Sequence, residues 1–382
     1  MKKLHVFLAF VLMSTTIFAQ TRNLRNADNE LRRGRLDRAV TAIRLAMEEP
    51  ENQRNSNAWL SQARVFTAVA TSENLAFTVL EPNAINLAFE SFKRAFELDQ
   101  TGGFVLLSHQ DLSRLGIASY NMGTVLYNQQ NFAEAANAFM LSVETSAFMD
   151  VVDTNAIFNT ALCASAAGDT DLARRFYRKL VDMGADQPAA YIALAVIYKD
   201  EKDFATAGKL ADMAAELFPN DYSAMINAAS IHLMIESSER ASQILAVMAE
   251  QYSDNPIVFF AKGVALDQIN MSEEAEQAYL RAIELRPDYF DAVFNLAAHY
   301  VTRGVAIRME ADNLPWNEQR KHAEMTELSN TIFRKAIPML EKALEIQPNN
   351  IPVMTTLRDI YLHLRMDDRA TEIMADIEKL EN

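Results

Sequence analysis

The chain has 382 residues, 50% of them hydrophobic, with 10 Gly, 10 Pro and a single Cys. So little Gly and Pro excludes collagen-like and low-complexity chains and disfavours a turn-rich all-β fold; one Cys excludes a disulfide framework or a Cys-based structural zinc site. Asp and Glu outnumber Lys and Arg by 51 to 36, and the net charge of −15 gives no general attraction for nucleic acid or anionic lipid.

In chain order, Lys2 and Lys3 precede an uncharged, largely apolar run from Leu4 to Ala19, which ends in Ile17-Phe18-Ala19 before Gln20. A basic start, an apolar centre and a small residue at the end make residues 1–19 a secretory signal peptide. The run falls short of the ~20 residues that span a bilayer, and no Cys follows for lipid attachment. The expectation is export to the periplasm or beyond, with no membrane insertion of the mature chain; retention of the segment as an anchor is the alternative.

Residues 20–100 carry two weaker helix pairs. One lies around Gly34-Ala39-Ile43-Ala46-Pro50; the other is built on Trp59, Ala88, Phe92 and Ala95, with extra residues at Thr71 to Asn83. From residue 101 to 382 the pattern tightens. Ala135, Ala173, Ala207, Ala241, Ala275, Ala336 and Ala370 recur at intervals of 38, 34, 34, 34, 61 and 34. Around them, sets such as Ala207-Ala211-Ala214-Pro219 and Ala275-Tyr279-Ala282-Pro287 step by three and four, which places them on one helix face before a Pro ends the helix. Upstream of each lies a second pattern: Tyr191, Leu194, Ala195 and Tyr198, then Val293, Leu296, Ala297 and Tyr300, with Gly123 and Gly263 supplying a small residue at the same place.

At these residues the chain resembles the tetratricopeptide repeat family. The resemblance implies an all-α, right-handed superhelical solenoid of helix-turn-helix units, about nine of them here. A lone helix pair buries one face only, so stacked pairs must share a core. Asn131 with Glu134 reads as a capping box, and Asp169 as the cap of another second helix. The last helix carries Ala370, Ile373, Met374, Ile377 and Leu380 on one face and Arg369, Glu372, Asp376 and Lys379 on the other, a pattern that closes an array.

Residues suited to chemistry are sparse. The six His form no HExxH and no ligand pair; His232 and His299 fall within first helices as structural residues, and His5 leaves with the signal peptide. Cys163 reads as a small buried hydrophobe, Gly102-Gly103 as a turn, and Asp150 with Asp153 as a solvated loop. The expectation is a non-enzyme without cofactor or metal.

In the family, the first helix of each unit lines an inner groove that holds partner peptides. Here Asn121, Asn159, Asn227 and Asn295 recur just after an apolar residue, and a carboxamide can both donate to and accept from a peptide backbone. Asn is also common at this point in the family whatever the ligand, and Ala193 and Ala261 replace it in alternate units. Tyr120, Lys199 and Phe260 complete the candidate groove set. A second candidate surface is the interval from Val301 to Lys335, broken at Leu314-Pro315-Trp316. Its 27 extra residues lengthen both helices of a pair by about 13 residues, or ~20 Å, with Trp316 near a projecting tip. Trp316 is there either a recognition element or a residue folded back against units seven to nine. The functional expectation is a non-catalytic interaction scaffold of the bacterial cell envelope, binding protein or peptide partners; the alternative is an accessory subunit of an enzyme complex acting on envelope polysaccharide or peptidoglycan.

Overall fold

A computed structural model describes residues 22–381, and all of its regular structure there is helical. The expected signal peptide lies outside the described residues. The chain divides into two compact units, residues 1–190 and 191–382.

The described helices of the first unit form four pairs. They are α1 (Arg22–Arg32) with α2 (Leu36–Met47), α3 (Ser56–Ala70) with α5 (Ala84–Leu98), α7 (His109–Asn128) with α8 (Phe132–Ala147), and α9 (Thr154–Ala167) with α10 (Thr170–Asp182). Short helices α4 (Leu75–Leu80) and α6 (Phe104–Leu107) fill the connections, α4 within the extra segment at Thr71 to Asn83. A core runs from Leu24 through Ile43, Phe66 and Phe92 to Leu115 and Leu141. Its residues follow the steps of three and four read in the sequence: Ala39, Ile43 and Ala46 are all fully buried.

The second unit holds five more pairs, the first starting just ahead of its boundary. They are α11 (Pro188–Asp200) with α12 (Phe204–Leu217), α13 (Tyr222–Met234) with α14 (Ser238–Gln251), and α15 (Pro256–Gln268) with α16 (Ser272–Leu285); then come α17 (Phe290–Asp312) with α18 (Gln319–Ile346), and α19 (Ile351–His363) with α20 (Asp367–Glu381). Nine pairs are thus present among the described residues, as the repeat spacing predicts. Most helices of this unit have 13 or 14 residues, whereas α17 has 23 and α18 has 28. At 1.5 Å per residue the excess is about 15 Å and 21 Å, unequal where the sequence suggested equal shares.

The repeat is also written in the backbone. In seven of the nine described pairs the turn passes through one left-handed residue, at Gly34, Gln130, Gly168, Lys202, Glu236, Asn270 and Arg365. Only two of the seven are Gly; the other turns hold an L-residue at a cost of ~1–2 kcal/mol, so pairing of the flanking helices must impose the turn.

Small residues on the first helices admit aromatic rings from the second. A Cβ added at Gly123 would lie 2.9 Å from the Phe139 ring, at Gly263 2.6 Å from Tyr279, and at Gly304 2.9 Å from Phe333. Serine hydroxyls tie two of these interfaces further: Ser142 Oγ donates to the Gly116 carbonyl at 3.0 Å and Ser329 Oγ to that of Gly304 at 2.7 Å.

Helix starts use side-chain caps where the sequence supplies an Asp or Asn with the right turn. Asp153, Asp169, Asp203 and Asp221 each accept from a backbone N–H three residues on, at 2.7–3.1 Å. The capping box expected at Asn131 does not form: Asn131 stands at the N-cap of α8 but makes no side-chain cap bond. Its backbone N–H is already taken by the Leu126 carbonyl at 2.9 Å, so Glu134 has no donor to reach back to. Replacing Asp169 by Ala should cost ~1 kcal/mol, read as faster amide exchange confined to α10.

On α20, Ala370, Ile373 and Ile377 are buried as expected, but Met374 is 49% and Leu380 40% exposed. The apolar stripe of α20 is thus only partly buried among the described residues.

Candidate functional site

In the first unit, α7 presents Ile117, Asn121 and Val125, one turn apart, to solvent; Ile117 is 60% exposed. A cavity flanks each side of this ridge. One, of about 470 Å³, is lined by Gly116, Ile117, Tyr120, Asn121, Ser146 and Met149. The other, of about 480 Å³, is lined by Arg114, Ile117, Ala118, Asn121, Met122 and Val125. Ile117 and Asn121 therefore form the wall that both cavities share.

Tyr120 and Asn159, assigned to the groove from sequence, meet. Asn159 Nδ2 donates to the Tyr120 hydroxyl at 2.8 Å, and the Tyr120 ring stands edge-on to Phe139 with centroids 5.1 Å apart. The contact fixes the Asn159 carboxamide from the neighbouring first helix and spends only one of its hydrogen-bonding capacities.

In the second unit the predicted residues behave differently. Asn227 Nδ2 donates to Ser223, to its carbonyl at 2.7 Å and its hydroxyl at 3.2 Å, and Asn295 Nδ2 donates to the Asp291 carbonyl at 2.7 Å. Both carboxamides thus turn back on their own helices. Lys199 Nζ pairs with Asp200 at 3.0 Å and lies 3.8 Å from Met234 Sδ, which offsets its charge locally. Phe260 is half-buried against Tyr279 and Tyr289, with ring centroids 6.3 and 5.2 Å away. It packs more than it presents. Trp316 lies in the turn between α17 and α18 and is 87% exposed, which excludes burial against the neighbouring helices of its own unit.

The side chains read as structural are placed in the interior. Cys163 is fully buried, and burial pushes its thiol up to about 11, so little thiolate forms at neutral pH. His232 Nε2 lies 3.1 Å from Asp212, which Arg240 also contacts at 2.5 Å. Burial pulls His232 below the ordinary imidazole range despite that carboxylate. Gly102 sits at φ +68 in a turn that Asp99 organises through Thr101 and Phe104, as a turn and not a phosphate loop. Among the described residues no three His, Cys, Asp or Glu side chains gather as a metal site, and no helix is long and apolar enough to cross a membrane.

Tetratricopeptide repeat family models match residues 258–289 and, overlapping, 120–188 and 158–222. Over these residues the chain is built of tetratricopeptide repeats. Among solved structures, the C-terminal part of a TPR repeat-containing protein from Cytophaga hutchinsonii is 15% identical, with a TM-score of 0.50 over 68% of this chain and 95% of that one. That likeness shows the shared fold. MamA from Desulfovibrio magneticus is 15% identical, covering 52% of this chain and 96% of its own at a TM-score of 0.38. YrrB, described as a TPR protein with an unusual peptide-binding site, is 17% identical, covering 47% and 91% at 0.40. No curated protein matches the sequence.

Two features of this repeat protein escaped the sequence. The ridge at Ile117 did, because an isolated Ile on a first helix reads as core until the neighbours that fail to cover it are known. The second is a contact of Asp267, Ser272 and His299. Asp267 and His299 are 32 residues apart, close to one repeat, so the period of 34 sets them side by side on successive first helices. That period is the signal that could have found them.

Proposed function

We propose that the protein is an interaction scaffold that holds an extended segment of a partner protein across the exposed face of α7. The observation that carries this reading is the pair of cavities sharing Ile117 and Asn121. Apolar side chains of the partner enter the cavities on either side of Ile117, while Asn121 and Asn159 bond its backbone. Side-chain pockets with carboxamides between them suit a chain read by shape and main-chain hydrogen bonds. Lys199, Asn227, Phe260 and Asn295 add a secondary surface in the second unit, and Trp316 a separate point of attachment. The leader-like composition of residues 1–19 supports a role for this scaffold in the bacterial envelope.

The test is affinity capture by the full chain from crosslinked cells, with the captured partner then titrated against variants. Asn159→Ala should weaken binding by ~1 kcal/mol, the net value of one hydrogen bond, and Asn227→Ala by less because its donors already serve its own helix. Ile117→Ser should weaken binding with unchanged helicity. Unchanged affinity in Ile117→Ser would move the binding surface away from α7.

A further inference from the structure

Three side chains from three helices form a hydrogen-bonded chain in a cavity of about 490 Å³ in the second unit. His299 Nδ1 lies 2.5 Å from Asp267 Oδ1, and His299 Nε2 lies 3.2 Å from Ser272 Oγ. The other Asp267 oxygen accepts from the Tyr279 hydroxyl at 3.1 Å. Burial, and then the Asp267 charge, hold that hydroxyl far above the ordinary tyrosine range, so it stays a donor. With Nδ1–H directed to a carboxylate, the ring carries its lone pair on Nε2, the nitrogen that faces the Ser272 hydroxyl. His299 is buried and flanked by the rings of Tyr279 and Tyr300, which restrain its orientation. Ser272 is partly exposed and lines the cavity together with His299 and Asp267.

The space around Ser272 is set by the lengthened helix. Ala298, Thr302 and Ala306 on α17, one turn apart, line the same cavity with small side chains. Ser272 also opens α16, whose N-cap residue Met271 makes no side-chain cap hydrogen bond. The first-turn N–H groups of Ser272, Glu273 and Glu274 are thus at the same end of the helix as the hydroxyl. The charged side chains lining the cavity are one of each sign, Asp267 and Arg303, which suits a substrate without net charge.

We propose that Ser272, His299 and Asp267 form an acyl-transfer site for short, neutral esters. Ser272 Oγ attacks the ester carbonyl carbon while its proton passes to His299 Nε2, and the oxygen that gains charge is to be met by first-turn N–H groups of α16, the helix that Ser272 opens. The bond to the alcohol breaks, and the alcohol leaves with the proton returned by His299. Water then attacks acyl-Ser272, giving a proton to Nε2. The carboxylic acid departs and that proton restores the Ser272 hydroxyl. The Asp267 carboxylate bonds His299 and Tyr279 and takes no part in the bonds made or broken, so it is a positioning residue. The inference goes beyond the binding function, does not depend on it, and departs from the non-enzyme expectation because the fold supplies a nucleophile–base pair that local spacing does not show.

The test uses the full chain with p-nitrophenyl butyrate and a fluorophosphonate probe. Expected are a covalent adduct mapped to Ser272 by peptide mass spectrometry and ester turnover that Ser272→Ala lowers by ~100-fold or more with unchanged circular dichroism. His299→Gln should abolish labelling, and Asp267→Asn should lower kcat with KM held. Labelling of the wild-type chain decides the matter even where a variant fails to fold. No adduct at Ser272 in folded wild-type protein, or equal turnover by Ser272→Ala, overturns the proposal and makes the three side chains a clasp between neighbouring helices.

Discussion

Replacing Gly263 by Val is expected to destabilise the second unit by ~3 kcal/mol, at the upper end for overpacking a core. The first added carbon alone would stand 2.6 Å from two atoms of the Tyr279 ring. That ring has nowhere to go. It is 1% exposed, its hydroxyl is bonded to Asp267, and Phe260 and His299 flank it. The helices must separate, which uncovers the shared core of neighbouring pairs. Gly208 gives the control, because a Cβ there meets the Ile235 Cδ1 methyl at 3.1 Å, the far end of a flexible side chain. Gly208→Ala should change stability by less than ~1 kcal/mol. Urea titration of the two variants, followed by circular dichroism, checks both; equal midpoints would show that α15 and α16 do not depend on this close approach.

The architecture was legible because a repeat states its core many times. Ala207, Ala241 and Ala275 recur every 34 residues since each must pass close to a first helix, and each is fully buried. Gly123 and Gly263 announce the same approach from the opposite side, facing Phe139 and Tyr279. The N-cap at Asp169 was legible from its side chain and position, whereas the box at Asn131 failed because the backbone of the preceding turn had already consumed the donor. Sequence shows which groups could bond, not which are already occupied.

The candidate site was legible only in part, for the same reason. The four Asn residues look alike in sequence, yet Asn159 reaches Tyr120 on the next first helix while Asn227 and Asn295 fold back on their own. The difference lies in the neighbour: a tyrosine hydroxyl within reach of Asn159 at position 120, and a carbonyl of their own helix for Asn227 and Asn295. Phe260 stays half-exposed while packing on Tyr279 and Tyr289, contacts that its place on a first helix does not announce. The Ser272, His299 and Asp267 contact needs two adjacent repeats in register before any of its distances exists. Local motifs are blind to such pairs.

Trp316→Ala is expected to leave stability within ~0.5 kcal/mol of wild type and to weaken partner binding by ~2 kcal/mol, the scale of an interface hot spot. The residue is 87% exposed in the turn joining the two longest of the described helices. The polar groups nearby are satisfied without it: Arg308 contacts Asp312 at 3.0 Å, His322 approaches the same carboxylate at 3.4 Å, and Arg320 pairs with Glu324 at 2.9 Å. Hydrogen bonding to Arg308 holds the Asp312 carboxyl below its ordinary range, which keeps that pair ionised beside the turn. The tip is thus held by its own ion pairs, and the indole is left outside them. An exposed Trp gains nothing for the fold, but it offers a partner a large apolar surface at little entropic cost. Thermal melts and calorimetric titration with the captured partner separate the two roles. A fall in stability of ~3–5 kcal/mol would mark a buried aromatic and end the recognition role, whatever happened to binding.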